Sequence, residues 1–331
     1  MSIFTEQTLV TFFVGSIAYG MMLLLGSTGE IITEKAGHLN LGIPGVMYVG
    51  GISGVTGAFF YEKSVEVMNP LLAIVIVLAC SLLGSLVMGL IYSFLTVTMR
   101  ANQNVTGLAL TTFGTGVANF LGMWLAEKGG STSGSVNISK TSYIFTTPLP
   151  GYDKLGWFGK IFMQRGLLPY VVIAIALVAA YVLNRTRVGL NLRAVGENPA
   201  TADAAGINVN RYKYVATCVG SMIAGLGGLY YAIETPNWSH GGMGDLGWLA
   251  IALVIFVTWR PNMGILGSLL FGMLYRLPID FASSLGGNYR EFYYMLPYAV
   301  TIVVLVITSI REKRESQPPA SLGLSYFREE R

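Results

Sequence analysis

The sequence predicts an all-α, polytopic membrane helical bundle with about nine to ten transmembrane segments, some of them broken or re-entrant. Apolar residues make up 53% of the 331 residues, charged residues make up only 11%, and the mean hydropathy is +0.58. Soluble domains carry about 25% charged residues. The charge-free run from Leu71 to Met99 exceeds the roughly 20 residues that cross the hydrocarbon core as a helix. Together these observations place the chain in the membrane.

The predicted spans follow one another along the chain, at 8–26, 40–61, 71–99, 104–126, 167–184, 214–233, 244–259, 263–280 and 292–310. An odd number of crossings places the two termini on opposite sides. The short connections on one side hold most of the basic residues, whereas those on the other hold only Lys63 and Arg290. Because cytoplasmic connections are rich in Lys and Arg, we expect an outer N-terminus and a cytoplasmic C-terminus. A half-helix pair at 29–45 would add a tenth crossing and move only the N-terminus.

The chain is therefore expected to form one transmembrane domain over residues 1–310 and a cytoplasmic tail over residues 311–331. The loop 127–166 is predicted to be external, and its aromatic second half is typical of a helix lying on the membrane surface. The loop 185–213 is predicted to be internal. The tail contains prolines and many charges, so we expect it to be flexible.

Composition argues against several function classes. The net charge of +4 does not indicate nucleic acid, because the basic residues flank apolar runs and form no basic helix with interleaved aromatic residues. Cys80 and Cys218 lie inside apolar runs and are predicted to be small buried residues, not a disulfide or a metal site. No constellation of His, Asp, Glu or Ser lies at one membrane depth. We therefore predict neither a catalytic site nor a metal site.

The segment 29–45 departs from ordinary transmembrane sequence. It places Glu30 and Asn40 beside apolar spans and then adds a proline between Gly42 and Gly45. Glycine and proline at this density disfavour a continuous helix, and broken backbone at membrane depth survives only against protein or a water-filled cavity. We interpret the segment as a pore wall or gate, with Glu30 and Asn40 facing the lumen or bracing the break. The alternative is a cytoplasmic loop followed by a glycine-rich packing helix.

A polar stripe runs along the predicted fourth span. Asn104, Thr111, Thr115 and Asn119 fall close to one helical face. A polar stripe in an apolar span must face a cavity or another helix, because lipid offers it no hydrogen-bond partner. These residues are the second set predicted to line a path, and the alternative is a hydrogen-bonded seam between two helices.

The internal loop carries start and stop signals for a short helix. Asn198 followed by Pro199 is typical of an N-cap and a first-turn proline, alanines follow, and Gly206 ends the helix. A helix of about two turns is too short to be stable alone. Its small side chains would form a low knob that enters a groove on a partner. A simple re-entry turn is the alternative, although a turn would not need both signals.

The run Gly-Glu-Asn-Pro-Ala-Thr-Ala-Asp-Ala-Ala-Gly-Ile at 196–207 resembles the coupling-helix loop of ABC importer permeases of the branched-chain amino acid, ribose and nucleoside type. The segment 29–45 and the stretch 104–116 are similar to the simple-sugar and nucleoside branch of that family. The resemblance covers most of the chain, from about residue 20 to residue 310. It implies an ATPase-coupling role for Gly196, Glu197, Asn198, Pro199, Ala204, Ala205 and Gly206.

The resemblance also implies a division of labour among several proteins. Two permease subunits, copies or relatives, would form the path, ATP-binding subunits would dock on the internal loops, and an external solute-binding protein or lipoprotein would deliver nucleosides or simple sugars. The expected location is the cell membrane. The sequence has no Gly-x-x-x-x-Gly-Lys-Ser/Thr phosphate loop, so ATP and Mg would be bound by the partner ATPase and this chain would hold no cofactor.

The alternative function is an ion-coupled secondary transporter of small polar solutes. Such a transporter needs carboxylates inside the membrane for proton or sodium coupling. Glu234, Asp245 and Asp280 are the candidates, and all three are predicted to lie near span ends.

Overall fold

The computed structural model describes residues 6–131, 134–281, 290–311 and 317–327, and helices dominate it. The long helices are α1 (Glu6–Lys35), α2 (Ile43–Ser64), α3 (Pro70–Ser93, prolonged by a π-helical turn at Phe94–Thr98), α4 (Gln103–Gly129), α7 (Leu168–Arg185), α10 (Val209–Glu234) and α12 (Pro261–Asp280). The shorter helices are α5 (Ser139–Thr146), α6 (Gly156–Phe162), α8 (Arg187–Glu197), α9 (Pro199–Ala204), α11 (Leu246–Phe256), α13 (Arg290–Tyr294) and α14 (Leu296–Arg311). Strand β1 (Val136–Asn137) pairs antiparallel with β2 (Asn237–Trp238).

Each predicted span falls on a described helix, so the all-α membrane bundle is confirmed. Among the described residues, seven helices are long and apolar enough to cross a membrane, namely α1, α2, α3, α4, α7, α10 and α12. Helices α11 and α14 are also apolar but shorter, with 11 and 16 residues. At about 1.5 Å per residue, α11 covers only about half of the hydrocarbon thickness.

The break between α1 and α2 is shorter than the sequence predicts. Helix α1 continues without interruption through Gly29 to Lys35, and only residues 36–42, all of them described, form turns instead of helix. Gly29 is needed for packing, because a Cβ there would lie 2.3 Å from the carbonyl oxygen of Gly220 on α10. We call residues 36–42 the connector. The predicted half-helix pair at 29–45 is therefore not seen.

The core of the bundle is formed by α1, α2 and α10. Most of α2 and of the C-terminal half of α10 is buried, and α1 is buried from Met21 to Glu34. Helix α1 packs between α10 and α12, whereas α2 packs against α3, α4 and α10. Glycines allow close approach, as where Gly50 on α2 faces Gly225 on α10.

The connections between the long helices gather at two ends of the bundle. The connector, the α8–α9 region and the turn between α11 and α12 lie at one end, which we call the connector end. The loop 127–166, with β1, α5 and α6, lies at the other. The prediction of a flexible tail is wrong for residues 317–327, which fold back onto the connector end through hydrogen bonds to Gly37 and Gly196.

Candidate functional site

The short helix predicted in the loop 185–213 is confirmed as α9. The side chain of Asn198 accepts a hydrogen bond from the backbone N–H of Thr201 at 3.0 Å, and Pro199 occupies the first turn. Gly206 follows with a φ of +84°, which glycine adopts without the strain that other residues pay. The N-cap and the terminating glycine therefore define the helix, as the sequence indicates.

Helix α8, which precedes α9, was missed by the sequence analysis. Its signals were present, since Thr186 caps the N–H of Gly189 at 3.2 Å and Leu192 and Val195 recur at helical spacing. Gly196 near its end is buried, and a Cβ there would lie 2.3 Å from the carbonyl oxygen of Lys35. Gly196 thus belongs to the contact between α8 and the end of α1, not to the exposed surface.

Helix α9 stands on a small apolar base and presents small side chains outward. Ala202 is 3% exposed and packs with Val195 and Val209. The remaining predicted coupling residues lie around this base: Glu197, Asn198, Ala204, Ala205 and Gly206 are exposed, and Pro199 is half-buried. The exposed surface is therefore a low knob without bulky side chains.

The connector is held by a buried hydrogen-bonded network. The backbone N–H of Asn40 donates to Oε1 of Glu30 at 3.0 Å, and the N–H of Gly42 donates to Oδ1 of Asn40 at 2.9 Å. Glu30 and Asn40 are both 0% exposed. Of the two arrangements that the sequence left open, the contacts favour the one in which these residues brace the break.

Side chains from α3 and α4 form hydrogen bonds with three further backbone groups of the connector. Gln103 Oε1 accepts from the N–H of Leu39 at 2.8 Å, and the Tyr92 hydroxyl donates to the carbonyl of Leu39 at 2.6 Å. The Thr111 hydroxyl donates to the carbonyl of Leu41 at 2.7 Å. Buried irregular backbone needs such partners, because no helix or sheet supplies them. The backbone of the connector is thus held in place by specific hydrogen bonds.

Two further polar side chains are buried at the connector end, one within the connector and one at the end of α1. His38 is 1% exposed, and its Nδ1 lies 2.9 Å from the hydroxyl oxygen of Thr217 on α10. Burial, and after it the positive charge of Lys213, hold the pKa of His38 well below its ordinary value. On another side the indole N–H of Trp259, in the turn between α11 and α12, donates to the buried carboxylate of Glu34. The connector end therefore ties α1, α10 and the start of α12 together.

Gly42 and Gly45 lie at the contact between α2 and α4. A Cβ at Gly45 would lie 2.5 Å from the carbonyl oxygen of Leu110, and a Cβ at Gly114 would lie 2.5 Å from that of Gly45. Both contacts are with backbone atoms, so a side chain on either helix would push the two helices apart. These glycines give close helix packing, which places α4 directly beside the connector.

The polar stripe on α4 lies along the boundary between its buried and exposed faces. Asn104 is exposed, whereas Thr111, Thr115 and Asn119 are half-buried. The Thr115 hydroxyl donates to the carbonyl of Thr111, and Asn119 Oδ1 accepts from the N–H of Gly241 at 3.2 Å. The stripe thus reaches the connector at one end and the glycine-rich turn before α11 at the other.

The family of the chain is decided by comparison with known proteins. The family model described as "Branched-chain amino acid transport system / permease component" matches residues 12–305. The chain belongs to this permease family.

The most similar relatives include three permeases that match along most of their length. A Haloferax volcanii protein named as a glucose ABC transporter permease, TsgC13, is 31% identical, over 93% of this chain and 94% of its own. The nucleoside ABC transporter permease NupC of Lactococcus lactis is 32% identical, over 91% of this chain and 93% of its own. The guanosine ABC transporter permease NupQ of Bacillus subtilis is 28% identical, over 88% of this chain and 89% of its own.

The permease family decides between the two functions that the sequence left open. The chain is a multi-pass, non-catalytic membrane subunit of an ABC transporter, not an ion-coupled secondary transporter. The three carboxylates considered for ion coupling lie at helix ends, as expected: Glu234 ends α10, Asp245 precedes α11 and Asp280 ends α12.

At the end opposite the connector, the permease has a polar cavity of about 650 Å³ between α1, α6, α10 and α12. Glu234 forms an ion pair with Arg165 at 2.6 Å inside it, and Arg276 pairs with Asp280 at 2.6 Å, four residues on along α12. The second pair has the i,i+4 spacing that brings two side chains together on one face of a helix. The first joins residues far apart in the chain, so no local signal in the sequence indicates it.

Proposed function

We propose that this permease, together with a second permease subunit, forms the translocation path of an ATP-driven, binding-protein-dependent importer. Membership of the permease family supports the assignment to an ABC transporter, and the exposed knob of α9 supports the role in coupling to an ATPase. The base of the knob is anchored by the buried Ala202, and its exposed side chains are small. This shape suits insertion into a groove of an ATP-binding subunit.

The distribution of basic residues supports a cytoplasmic location for the connector end. Lys35, Arg100, Arg193 and Arg260 all lie in or beside the connections at this end. Cytoplasmic connections are enriched in Lys and Arg. On this basis the tail, which folds onto the same end, is cytoplasmic and α9 faces the compartment that contains ATP.

The proposed path runs along the α4 stripe. Asn104, Thr111, Thr115 and Asn119 offer polar groups on the rim of an exposed helix face, where Gly116 has open space around it. Glu30, Asn40, Gly42 and Gly45 take the supporting role, because they fix the connector against this helix. The path would open and close as α4 moves together with the connector that is bonded to it.

Nucleosides and simple sugars are the two proposed solute classes, and one of the reported relatives is named as a glucose permease. Two of the relatives are named as nucleoside and guanosine permeases, and they match along most of this chain. In such importers the binding protein supplies most of the selection, so the permease walls need only low affinity. The solute is therefore best identified with the complete complex.

The deciding experiment is reconstitution of the complex in liposomes, with ATP inside and binding protein and labelled solute outside. Ala205→Arg places a bulky charged side chain on the exposed knob, where it breaks no internal contact. It should abolish co-purification of the ATP-binding subunit and ATP-dependent uptake. Ser139→Arg makes a similar change at the opposite end and should leave both intact. Uptake by the permease without an ATPase, or normal association of Ala205→Arg, would refute the proposal.

A further inference from the structure

The tail segment 317–327 is bonded to both helices of the coupling region. The backbone N–H of Ser321 donates to the carbonyl of Gly196 at 3.0 Å, and the Ser321 hydroxyl donates to the same oxygen at 2.5 Å. The Tyr326 hydroxyl donates to Oδ2 of Asp203 on α9 at 2.8 Å. Ser321 is 6% exposed, so its bonds are shielded from water. The segment is therefore hydrogen-bonded to the end of α8 and to α9.

The same segment is bonded to the connector and to the beginning of α4. The N–H of Gly323 donates to the carbonyl of Gly37 at 3.3 Å, and Nε2 of Gln103 donates to the carbonyl of Leu324 at 3.3 Å. The guanidinium of Arg100 lies 4.8 Å from the ring centroid of Phe327. Gln103 also holds the connector directly through Leu39. Along its length the segment thus contacts α8, the connector, α4 and α9 in that order.

These contacts link α9 to the connector and to α4, and α9 by itself has few buried contacts. Helix α9 has only six residues, and its buried base is limited to Ala202 and its few apolar neighbours. Gln103 and Thr111 of α4 form hydrogen bonds with Leu39 and Leu41 of the connector. A displacement of the tail segment therefore acts on the connector and α4 together. A displacement of α9 therefore has a direct route to the path through residues 321–326.

We propose that residues 317–327 act as a strap that transmits movement of α9 to the connector, with Ser321 and Tyr326 as positioning residues. This inference rests on the proposed coupling of α9 to an ATPase. The strap's hydrogen bond to α9 goes to the half-buried Asp203, whereas the docking surface is formed by the exposed Ala204, Ala205 and Gly206. The effect of the strap is on the yield of transport per ATP hydrolysed.

The test uses the complete complex in proteoliposomes and measures ATPase association, ATP hydrolysis and solute uptake. A chain that ends after residue 316 should keep ATPase association and hydrolysis, while uptake per ATP falls about fivefold or more, the effect of about 1 kcal/mol. A chain that lacks only residues 328–331 should behave as wild type. Unchanged uptake per ATP in the shorter chain would overturn the strap, and so would loss of ATPase association.

Point variants give the same answer if the shortened chain does not fold. Ser321→Ala combined with Tyr326→Phe removes two side-chain hydrogen bonds and should lower uptake per ATP without lowering ATPase association. Ser325→Ala is the control, because Ser325 makes no hydrogen bond with any described residue and should be neutral. A wild-type complex that fails to bind an ATPase would refute the proposed function itself. If the wild-type complex binds its ATPase and transports solute, and the double variant shows the same uptake per ATP, the strap alone is refuted.

Discussion

Replacing Gly228 with alanine would force helices α2 and α10 apart, because Gly228 lies directly against the backbone of α2. A Cβ at this position would be 1.8 Å from the carbonyl oxygen of Met47 and 2.6 Å from its carbonyl carbon. Ordinary carbon–oxygen contacts are about 3.3 Å or longer. Because the obstacle is backbone, no change of side-chain rotamer relieves it. The helices would have to separate locally by about 1.5 Å.

The expected cost follows from two opposing effects. Overpacking of a tight core costs about 1–3 kcal/mol, and the contact with backbone places this case at the upper end. Alanine stabilises a helix over glycine by about 1 kcal/mol, which offsets part of the cost. The net loss in the free energy of unfolding is therefore about 2 kcal/mol, or a decrease in Tm of roughly 4 °C.

The assay is thermal unfolding of the detergent-purified protein, followed by tryptophan fluorescence. Gly116→Ala on α4 is the matched control, because a Cβ at Gly116 meets no atom within 4 Å. It should leave Tm unchanged or raise it. If Gly228→Ala melts at or above the wild-type temperature, the close packing of α2 on α10 is refuted.

Three further predictions concern the connector end. Asn40→Ala removes the acceptor of the buried Gly42 N–H and should destabilise the protein by about 1–3 kcal/mol in thermal unfolding. Trp259→Phe removes the indole donor to the buried Glu34 carboxylate and should cost about 1.5–3 kcal/mol in the same assay. Because the folded-state pKa of His38 is lowered, the unfolded chain binds more protons below about pH 6.5, so stability should fall as the pH drops through this range. His38→Gln should flatten that pH dependence of Tm.

Each of these results has a specific contradicting outcome. Asn210→Ala and Trp157→Phe change exposed side chains and should alter stability by no more than about 0.5 kcal/mol. If either buried variant is as stable as its exposed control, the corresponding hydrogen bond does not brace the connector. If Tm of the wild type and of His38→Gln fall equally between pH 6.5 and pH 5, the buried histidine is not the source of the slope.

The elements that could be predicted from the sequence are those defined by neighbouring residues. The apolar runs located the membrane helices, because a helix must satisfy its own backbone in lipid and therefore needs an unbroken apolar stretch. The limits of α9 followed from Asn198, Pro199 and Gly206, since a cap and a left-handed glycine act within one turn. The pair of Arg276 and Asp280 is likewise a local feature, because residues at i,i+4 are neighbours on one helix face.

The roles of the polar residues were decided only by tertiary packing. The sequence placed Glu30 and Asn40 in an unusual segment, but the structure shows that they bond to each other, and that Gln103, 64 residues beyond Leu39, completes the network. The tail was expected to be flexible from its composition, yet Tyr326 bonds to Asp203 across 123 residues. By itself the sequence determined the membrane helices and the short helix α9. Only the folded bundle decided what braces the connector and where the tail lies, because contacts between distant residues leave no periodic or local signal.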